Sequence, residues 1–197
     1  MSSDPKERIL VVEEAEKLFN THLKNKKESY KRLGEKIMLK KGEVSMNFLS
    51  KEKLQAITSQ LMRDSKSDKA FQAKVLTLLG SYYQKQADFQ KAQDYFSRSG
   101  SLIIEEFGNA KHQKLVHLAF HVSDVLEQKH ERKQAIQKVQ DALTLATEIY
   151  QSDSTLAHAQ LHSKLTHLWC EEKDEVETET HLKEMLKFMN ASKELLD

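Results

Sequence analysis

Residues 75–107 read VLTLLGSYYQKQADFQKAQDYFSRSGSLIIEEF, and the apolar positions of this stretch return twice at a spacing of 43 residues. A fixed period of this size is typical of stacked helical hairpins, in which each unit buries its apolar face only against its neighbours. The stretch therefore predicts an array of hairpins and favours a binding or scaffolding role. The positions in register are Val75/Leu118/Leu161, Leu79/Val122/Leu165, Tyr82/Val125/Leu168, Phe96/Val139/Leu182 and Leu102/Leu145/Phe188.

The composition favours an all-α chain. Among 197 residues there are five Gly and one Pro, the two residue types that interrupt helices, and the proline is Pro5. About seven to eight helices are predicted, and the linkers within each pair are short enough to make the pair antiparallel. The length suits one domain or one short solenoid.

The repeat covers only part of the chain, so two regions are predicted. Residues 67–197 hold three hairpins, and residues 1–66 form an N-terminal helical cap or a degenerate repeat that includes a basic segment. A capping residue before Pro5 predicts a helix start there. A second short helix is expected over residues 50–63, after a loop.

Capping residues set the limits of the hairpins, whose first and second helices are called A and B here. Asp88 is placed to cap the first B helix, and Gly108 is placed to end it. Residues 152–154 (Ser-Asp-Ser) are placed to cap the third A helix. The predicted A and B helices run over about 68–86 and from the Asp88 cap to 107, over about 110–128 and 132–151, and from the cap at 152–154 to about 172 and over about 175–196.

Charge is unevenly distributed although the net charge is only +1. Residues 22–41 are strongly basic and residues 171–197 are acidic, and solvated helix faces are the simpler interpretation of both. The alternative is that the basic segment binds a polyanion (RNA, a microtubule or an anionic membrane). Nucleic acid is disfavoured, because Tyr30 is the segment's one aromatic residue. The residues that would bind a polyanion are Lys24, Lys26, Lys27, Lys31 and Arg32.

The first hairpin resembles the tetratricopeptide pattern. It reads Leu79-Gly80-x-x-Tyr83 and then Ala92-x-x-x-Phe96, so that small residues let the two helices approach and aromatic rings fill the adjacent space. The period of 43 residues exceeds the ~34 residues of the usual tetratricopeptide repeat. The hairpin end at residues 146–150 is similar to the longer repeats of kinesin light chains. The resemblance implies a right-handed α-solenoid of antiparallel helix pairs.

In tetratricopeptide proteins ligands usually lie in a concave groove lined by the A helices, so the resemblance implies a protein-binding face there. The Lys/Asn clamp of chaperone-binding members is not reproduced, because Thr77 and Ser81 stand where basic or amide groups are required. The asparagines of kinesin light chains are also missing, so neither ligand class is carried over. The equivalent positions are Lys74, Thr77, Ser81, Gln84, Lys85, His117, Phe120, Asp124, Glu127, Gln128, Gln160, Ser163, His167 and Glu171.

No catalytic or metal-binding constellation is found in the sequence. The pairs His117/His121 and His158/His162 have a spacing that lets two rings share a zinc ion, but no further ligands accompany them. No P-loop, dinucleotide-binding or Gly-x-Ser-x-Gly motif is present. The chain is therefore predicted to be non-enzymatic, with no cofactor, no metal and no small-molecule substrate.

The lone cysteine, Cys170, excludes an internal disulfide and fits a reducing compartment. Its position beside Trp169 predicts a buried, inert thiol. Because no apolar run is long enough to span a membrane, we expect a cytoplasmic protein, with association to the cytoskeleton as a narrower expectation. Taken with the repeat, these features predict an adaptor or a structural subunit of a larger assembly, with protein partners.

Overall fold

The structure, a computed structural model, describes residues 5–22, 37, 40, 51–64, 68–150 and 156–194. Within these ranges every regular element is an α-helix, so the all-α prediction is confirmed. None of the described helices is long and apolar enough to cross a membrane. The elements are α1 (Pro5–His22), α2 (Lys51–Asp64), α3 (Lys69–Lys85), α4 (Phe89–Phe107), α5 (Gln113–Gln128), α6 (Arg132–Tyr150), α7 (Leu156–Glu171) and α8 (Glu175–Glu194).

Six of these helices form the three predicted hairpins, α3–α4, α5–α6 and α7–α8. Successive hairpins stack through α4 on α5 and through α6 on α7, so each unit packs on its neighbours along the chain. The predicted right-handed α-solenoid of antiparallel pairs is confirmed. At the N-terminal end α2 packs on α3, with Leu54 and Leu61 buried. The division of the chain at residue 66 stays a prediction.

The turns within the hairpins repeat the 43-residue period in the backbone itself. Ala87, His130 and Lys173 have φ values of 56°, 61° and 60°, although none of them is glycine. In each turn this residue donates its N–H to the carbonyl three residues back, and the next N–H reaches the carbonyl five residues back. The left-handed conformation is held by these hydrogen bonds. The sequence contained no signal for it, because no glycine marks the position.

The structure contains most of the predicted helix caps and helix limits. Asp68 and Asp88 accept backbone N–H groups at the starts of α3 and α4, and Gly108 ends α4 with φ 68°. The start of α5 was predicted three residues too early, because the His112 ring accepts the Lys114 N–H at 3.1 Å and so caps the helix there. The predicted cap at 152–154 and the predicted helix end at 196 lie outside the described residues.

The first hairpin has the close approach that the tetratricopeptide pattern requires. A Cβ at Gly80 would lie 2.5 Å from Cε1 of Phe96, whose side chain is completely buried. Beside this contact Ser99 donates its hydroxyl to the Ala73 carbonyl at 2.8 Å and meets the Thr77 hydroxyl at 2.9 Å. Apolar and polar contacts therefore lie side by side where the two helices approach most closely.

The third hairpin has a different core, built from imidazole rings. His158, His162 and His181 are buried, and Phe188 stacks on the first two with ring centroids 5.3 Å apart. His162 and His181 face each other with 2.9 Å between their Nδ1 atoms. Thr178 stands in this hairpin where the first two hairpins have the small residues Ala92 and Ala135. The stacked rings lie in the same hairpin as the completely buried leucines Leu161, Leu165 and Leu168.

Candidate functional site

The residues predicted to bind protein lie on the three A helices, and none of them is buried. Their apolar neighbours on the same helices face the core, so the helical period turns these positions outward. The exposed members are Lys74, Lys85, His117, Gln128, Gln160, Ser163, His167 and Glu171. The half-buried members are Thr77, Ser81, Gln84, Phe120, Asp124 and Glu127.

Two clefts open between successive A helices. The first cleft lies between α3 and α5 and has a volume of about 450 Å³. It brings together four predicted residues over an apolar floor that includes Ile103 and Leu118. The predicted residues in it are Lys74, Thr77, Ser81 and His117.

The first cleft has a basic rim. Burial lowers the pKa of Lys114, and the nearby charge of Lys74 lowers it further. The Lys114 ammonium also lies over the Phe107 ring, 4.7 Å from its centroid. Burial likewise lowers the pKa of His121, which stacks on Phe96. The cleft therefore combines apolar surface with two cationic groups, Lys74 and Lys114, whose mutual repulsion is offset in part by Asp68 and Glu106.

The second cleft lies between α5 and the third hairpin and has a volume of about 660 Å³. Its walls add methionine side chains from α8, Met185 and Met189, to the predicted polar residues. Flexible thioether side chains adapt to irregular partners. The predicted residues in this cleft are His117, Phe120, Gln160, Ser163 and His167.

An ion-pair cluster joins α5 to α7 at the edge of the second cleft. Lys164 donates to Asp124 at 2.7 Å and to Glu127 at 2.6 Å, and His167 contacts Glu127 at 2.8 Å. Burial acts to raise the pKa of Glu127, but the hydrogen bonds from Lys164 and His167 outweigh it and the pKa is lowered. Burial acts to lower the pKa of Lys164, and the two carboxylates raise it overall. Asp124 and Glu127 are thus engaged within the protein.

Replacing Lys164 by methionine is expected to lower the free energy of unfolding by about 1–3 kcal/mol, because two carboxylates lose a largely buried partner. Chemical denaturation at pH 7 measures the loss. The matched control is Lys183→Met, whose ion pair with Glu179 is exposed to solvent and therefore contributes little to stability. Equal losses in the two variants would show that the α5–α7 cluster adds no stability.

The other predicted residues lie outside the two clefts. Glu171 pairs with Arg132 of α6 at 3.4 Å, so it links two hairpins. Thr77, by contrast, lines the first cleft, where its hydroxyl is already hydrogen-bonded to the Ser99 hydroxyl. Sequence reasoning missed Lys114 and Lys164, because their roles depend on neighbours from other helices. The remaining predicted residues outside the clefts are Gln84, Lys85 and Gln128.

The prediction for Cys170 was wrong. The side chain is exposed, because Trp169 turns toward the core and the next helical position points about 100° away from it. Among the described residues no group of three or more His, Cys, Asp or Glu side chains is arranged to hold a metal ion. Lys24, Lys26, Lys27, Lys31 and Arg32 lie outside the described residues, so polyanion binding stays a prediction.

No family model matches the chain, and no curated protein matches it significantly. Solved structures do resemble it. BtubC (BKLC) from P. vanneervenii gives a TM-score of 0.78 at 11% identity, over 95% of this chain and 74% of that chain. A Podosopora anserina protein assigned as a kinesin light chain has nearly identical TPR-like repeats. It gives a TM-score of 0.65 at 8% identity, over 95% of this chain and 88% of that chain.

The fold and its clefted A-helix face define the chain as a helical-repeat protein with a TPR-like architecture. The resemblance to tetratricopeptide proteins is therefore confirmed for the fold, and the solved structures that resemble the chain include a kinesin light chain-like protein. At this level of identity the similarity concerns the architecture alone.

Proposed function

We propose that this chain is a non-enzymatic adaptor or structural subunit that holds a protein partner on its A-helix face. The observation that carries the proposal is the first cleft, where an apolar floor lies beneath Lys74, Ser81 and His117. Apolar grooves with polar groups at their edges are a recurring way for proteins to hold a segment of a partner. Such repeat arrays commonly use the surface along successive repeats for binding.

The first cleft is a better candidate than the second. In the second cleft Lys164 and His167 already pair with carboxylates of α5, so a ligand must compete with those contacts. In the first cleft Lys74 repels Lys114, Asp68 and Glu106 oppose that effect in part, and a bound acidic or carbonyl group lowers the repulsion further. The proposed partner is therefore a protein segment, bound in a multi-subunit assembly in the cytoplasm, with the cytoskeleton as a narrower proposal.

Co-purification from native lysate with three baits tests the proposal. The baits are the wild type, a cleft variant with Lys74→Glu and His117→Glu, and a control with Lys133→Glu and Gln134→Glu on the exposed face of α6. We expect one set of partners to be retained by the wild type and the control and to fall at least about tenfold with the cleft variant. Circular dichroism should be the same for all three, because every altered side chain is exposed.

Two outcomes would contradict the proposal. Partners retained equally by all three baits would place binding elsewhere on the chain. Partners lost with the α6 control and kept with the cleft variant would place it on the B-helix face.

A further inference from the structure

The first cleft, between α3 and α5, is lined by basic side chains. Lys74 comes from α3, and Lys114, His117 and His121 come from α5, where steps of three and four residues place them on one helix face. Among the described residues that line this cleft, none is an aspartate or a glutamate. The cleft therefore has the donors of an anion-binding site and no anionic side chain of its own.

The two lysines of the cleft also lack ion-pair partners. On the same helix as Lys74, Lys69 pairs with Glu105. Within the described part of the chain, no carboxylate forms such a pair with Lys74 or Lys114, and the two carboxylates near Lys114 offset the repulsion between the lysines only in part. Positive charge in the cleft is thus left for a ligand to neutralise.

Packing holds two of the donor groups in place. The ring of His121 stacks on Phe96 with 5.3 Å between the ring centroids, and the Lys114 ammonium lies 4.7 Å from the centroid of Phe107. The Ser81 hydroxyl adds a further donor to the lining. Side chains that are already held by packing lose less conformational freedom when a ligand binds.

The number of positive charges favours a phosphate group over a carboxylate. A phosphorylated side chain carries about −1.5 to −2 charges at pH 7 and three acceptor oxygens, so it can neutralise both ammonium groups. A carboxylate carries one charge and would leave one of the lysines without an ion partner. The apolar floor beside the lysines, which includes Ile103 and Leu118, offers a surface for an apolar side chain next to the phosphate.

We propose that the first cleft binds a protein segment in which a phosphorylated serine or threonine stands next to an apolar residue. The phosphate oxygens accept hydrogen bonds from the ammonium groups of Lys74 and Lys114 and from the imidazole of His117. The inference rests on the adaptor proposal, because it names the chemistry of the partner that occupies the same cleft. Phosphorylation of the partner then controls its attachment to the array.

Three labelled peptide pools test the proposal. Each pool has random residues on both sides of one fixed residue, which is phosphoserine in the first pool, glutamate in the second and serine in the third. Because the flanking residues are random, the test does not depend on the sequence of the partner. The immobilised full chain should retain the phosphoserine pool at least about tenfold more strongly than either of the other pools, because charge-assisted hydrogen bonds are added.

A cleft variant with Lys74→Gln and Lys114→Gln should retain the phosphoserine pool no better than the serine pool, because both ammonium groups are removed. The matched control carries Lys133→Gln and Lys138→Gln on α6, outside the cleft. Each variant replaces one exposed and one half-buried lysine, so the two variants have the same net charge. The control should retain the phosphoserine pool as the wild type does, and circular dichroism checks that both variants fold.

Four outcomes would overturn the proposal. The wild type could retain the phosphoserine pool no better than the serine pool, or no better than the glutamate pool. The control could lose retention as fully as the cleft variant does, which would assign the binding to net charge. Inorganic phosphate could displace the phosphoserine pool at the concentration at which the pool itself binds, which would assign the cleft to a free anion.

Co-purification from lysate treated with a protein phosphatase separates this inference from the adaptor proposal. The baits are the wild type and the Lys74→Glu, His117→Glu variant. Partners that depend on the cleft but are retained equally before and after phosphatase treatment would overturn the role of phosphate and leave the adaptor proposal intact. If no partner depends on the cleft in untreated lysate, the adaptor proposal itself is contradicted.

Discussion

Replacing Phe96 by alanine should lower the free energy of unfolding by about 3–5 kcal/mol, one of the two largest effects expected in this chain. The ring is completely buried, lies against Gly80 of the neighbouring helix and stacks on His121 of the next hairpin. Its removal leaves a cavity between two hairpins, so stability is lost within the first hairpin and at its junction with the second. Urea denaturation followed by circular dichroism measures the loss.

The companion change Gly80→Ala tests whether the close approach is the cause. Alanine is favoured over glycine in a helix by about 1 kcal/mol, yet its Cβ would lie 2.5 Å from the Phe96 ring. We expect the overlap to dominate, with a net loss of about 1–3 kcal/mol. In the Phe96→Ala background the same change should instead stabilise, because the obstructing ring is gone.

Gly100→Ala is the matched control, because it is also a glycine in the middle of a helix. A Cβ there meets the ends of two flexible side chains, Leu118 at 3.3 Å and Leu115 at 3.9 Å. The expected change is within about 1 kcal/mol of zero. If Gly80→Ala changes the free energy of unfolding as little as Gly100→Ala does, both in the wild type and in the Phe96→Ala variant, the tight contact does not hold the hairpin together.

Lowering the pH from 6.5 to 4 should destabilise the third hairpin by up to about 3 kcal/mol through His162 alone. Burial, followed by the neighbouring His181, lowers the pKa of His162 from 6.5 to about 4. Between these two values the unfolded chain binds a proton that the folded chain does not, so stability falls as the pH falls. Well above pH 6.5 both states are neutral and this contribution is absent.

The geometry of the histidine pair also predicts that stability falls as the pH falls. The hydrogen bond between the two Nδ1 atoms needs one protonated and one bare nitrogen, so a fully protonated pair cannot keep it. The pKa of His181 is also lowered by burial, although Glu177 and Glu184 oppose the shift. Around His162, Glu184 favours protonation, whereas His158 and Lys187 act against it together with His181. The net balance keeps the pair neutral near pH 7.

Denaturation of His162→Gln and His117→Gln at pH 7.5, 6 and 5 measures the contribution of the pair. The His162 variant should be less stable than the wild type at pH 7.5 and show a flatter dependence on pH, because the titrating group is removed. His117 is exposed, and its variant should keep the dependence of the wild type. Hydrogen exchange should locate the loss in α7 and α8. If the free energy of unfolding changes with pH in the same way for the wild type and both variants, His162 is excluded as the titrating group.

Much of the fold could be predicted because it follows from short-range rules. The 43-residue period, the scarcity of Gly and Pro, and caps such as Asp88 and Gly108 were enough to place the described helices of the hairpins within a few residues. None of the residues predicted for the A-helix face is buried, although six of the fourteen are half-buried, and their role in binding stays a prediction. Helix faces depend on spacings of three and four residues, which a sequence displays directly.

The site was predicted less completely, because its chemistry depends on contacts between residues about forty positions apart. Lys164 engages Asp124 and Glu127, and nothing in the spacing of α7 indicates that these carboxylates are its partners. Cys170 was expected to be buried and is exposed, because the tryptophan beside it takes the inward position. Which side chains meet across two helices is set by the distance and rotation between them.

The amino-acid order alone thus specified a stacked array of helical hairpins and the outward face of its A helices, since both follow from periodicity within single helices. The tertiary structure decided which of those outward residues form a cleft and which pair with each other. It also decided that three histidines become the core of the last hairpin, because only packing removes their rings from water and makes their protonation costly.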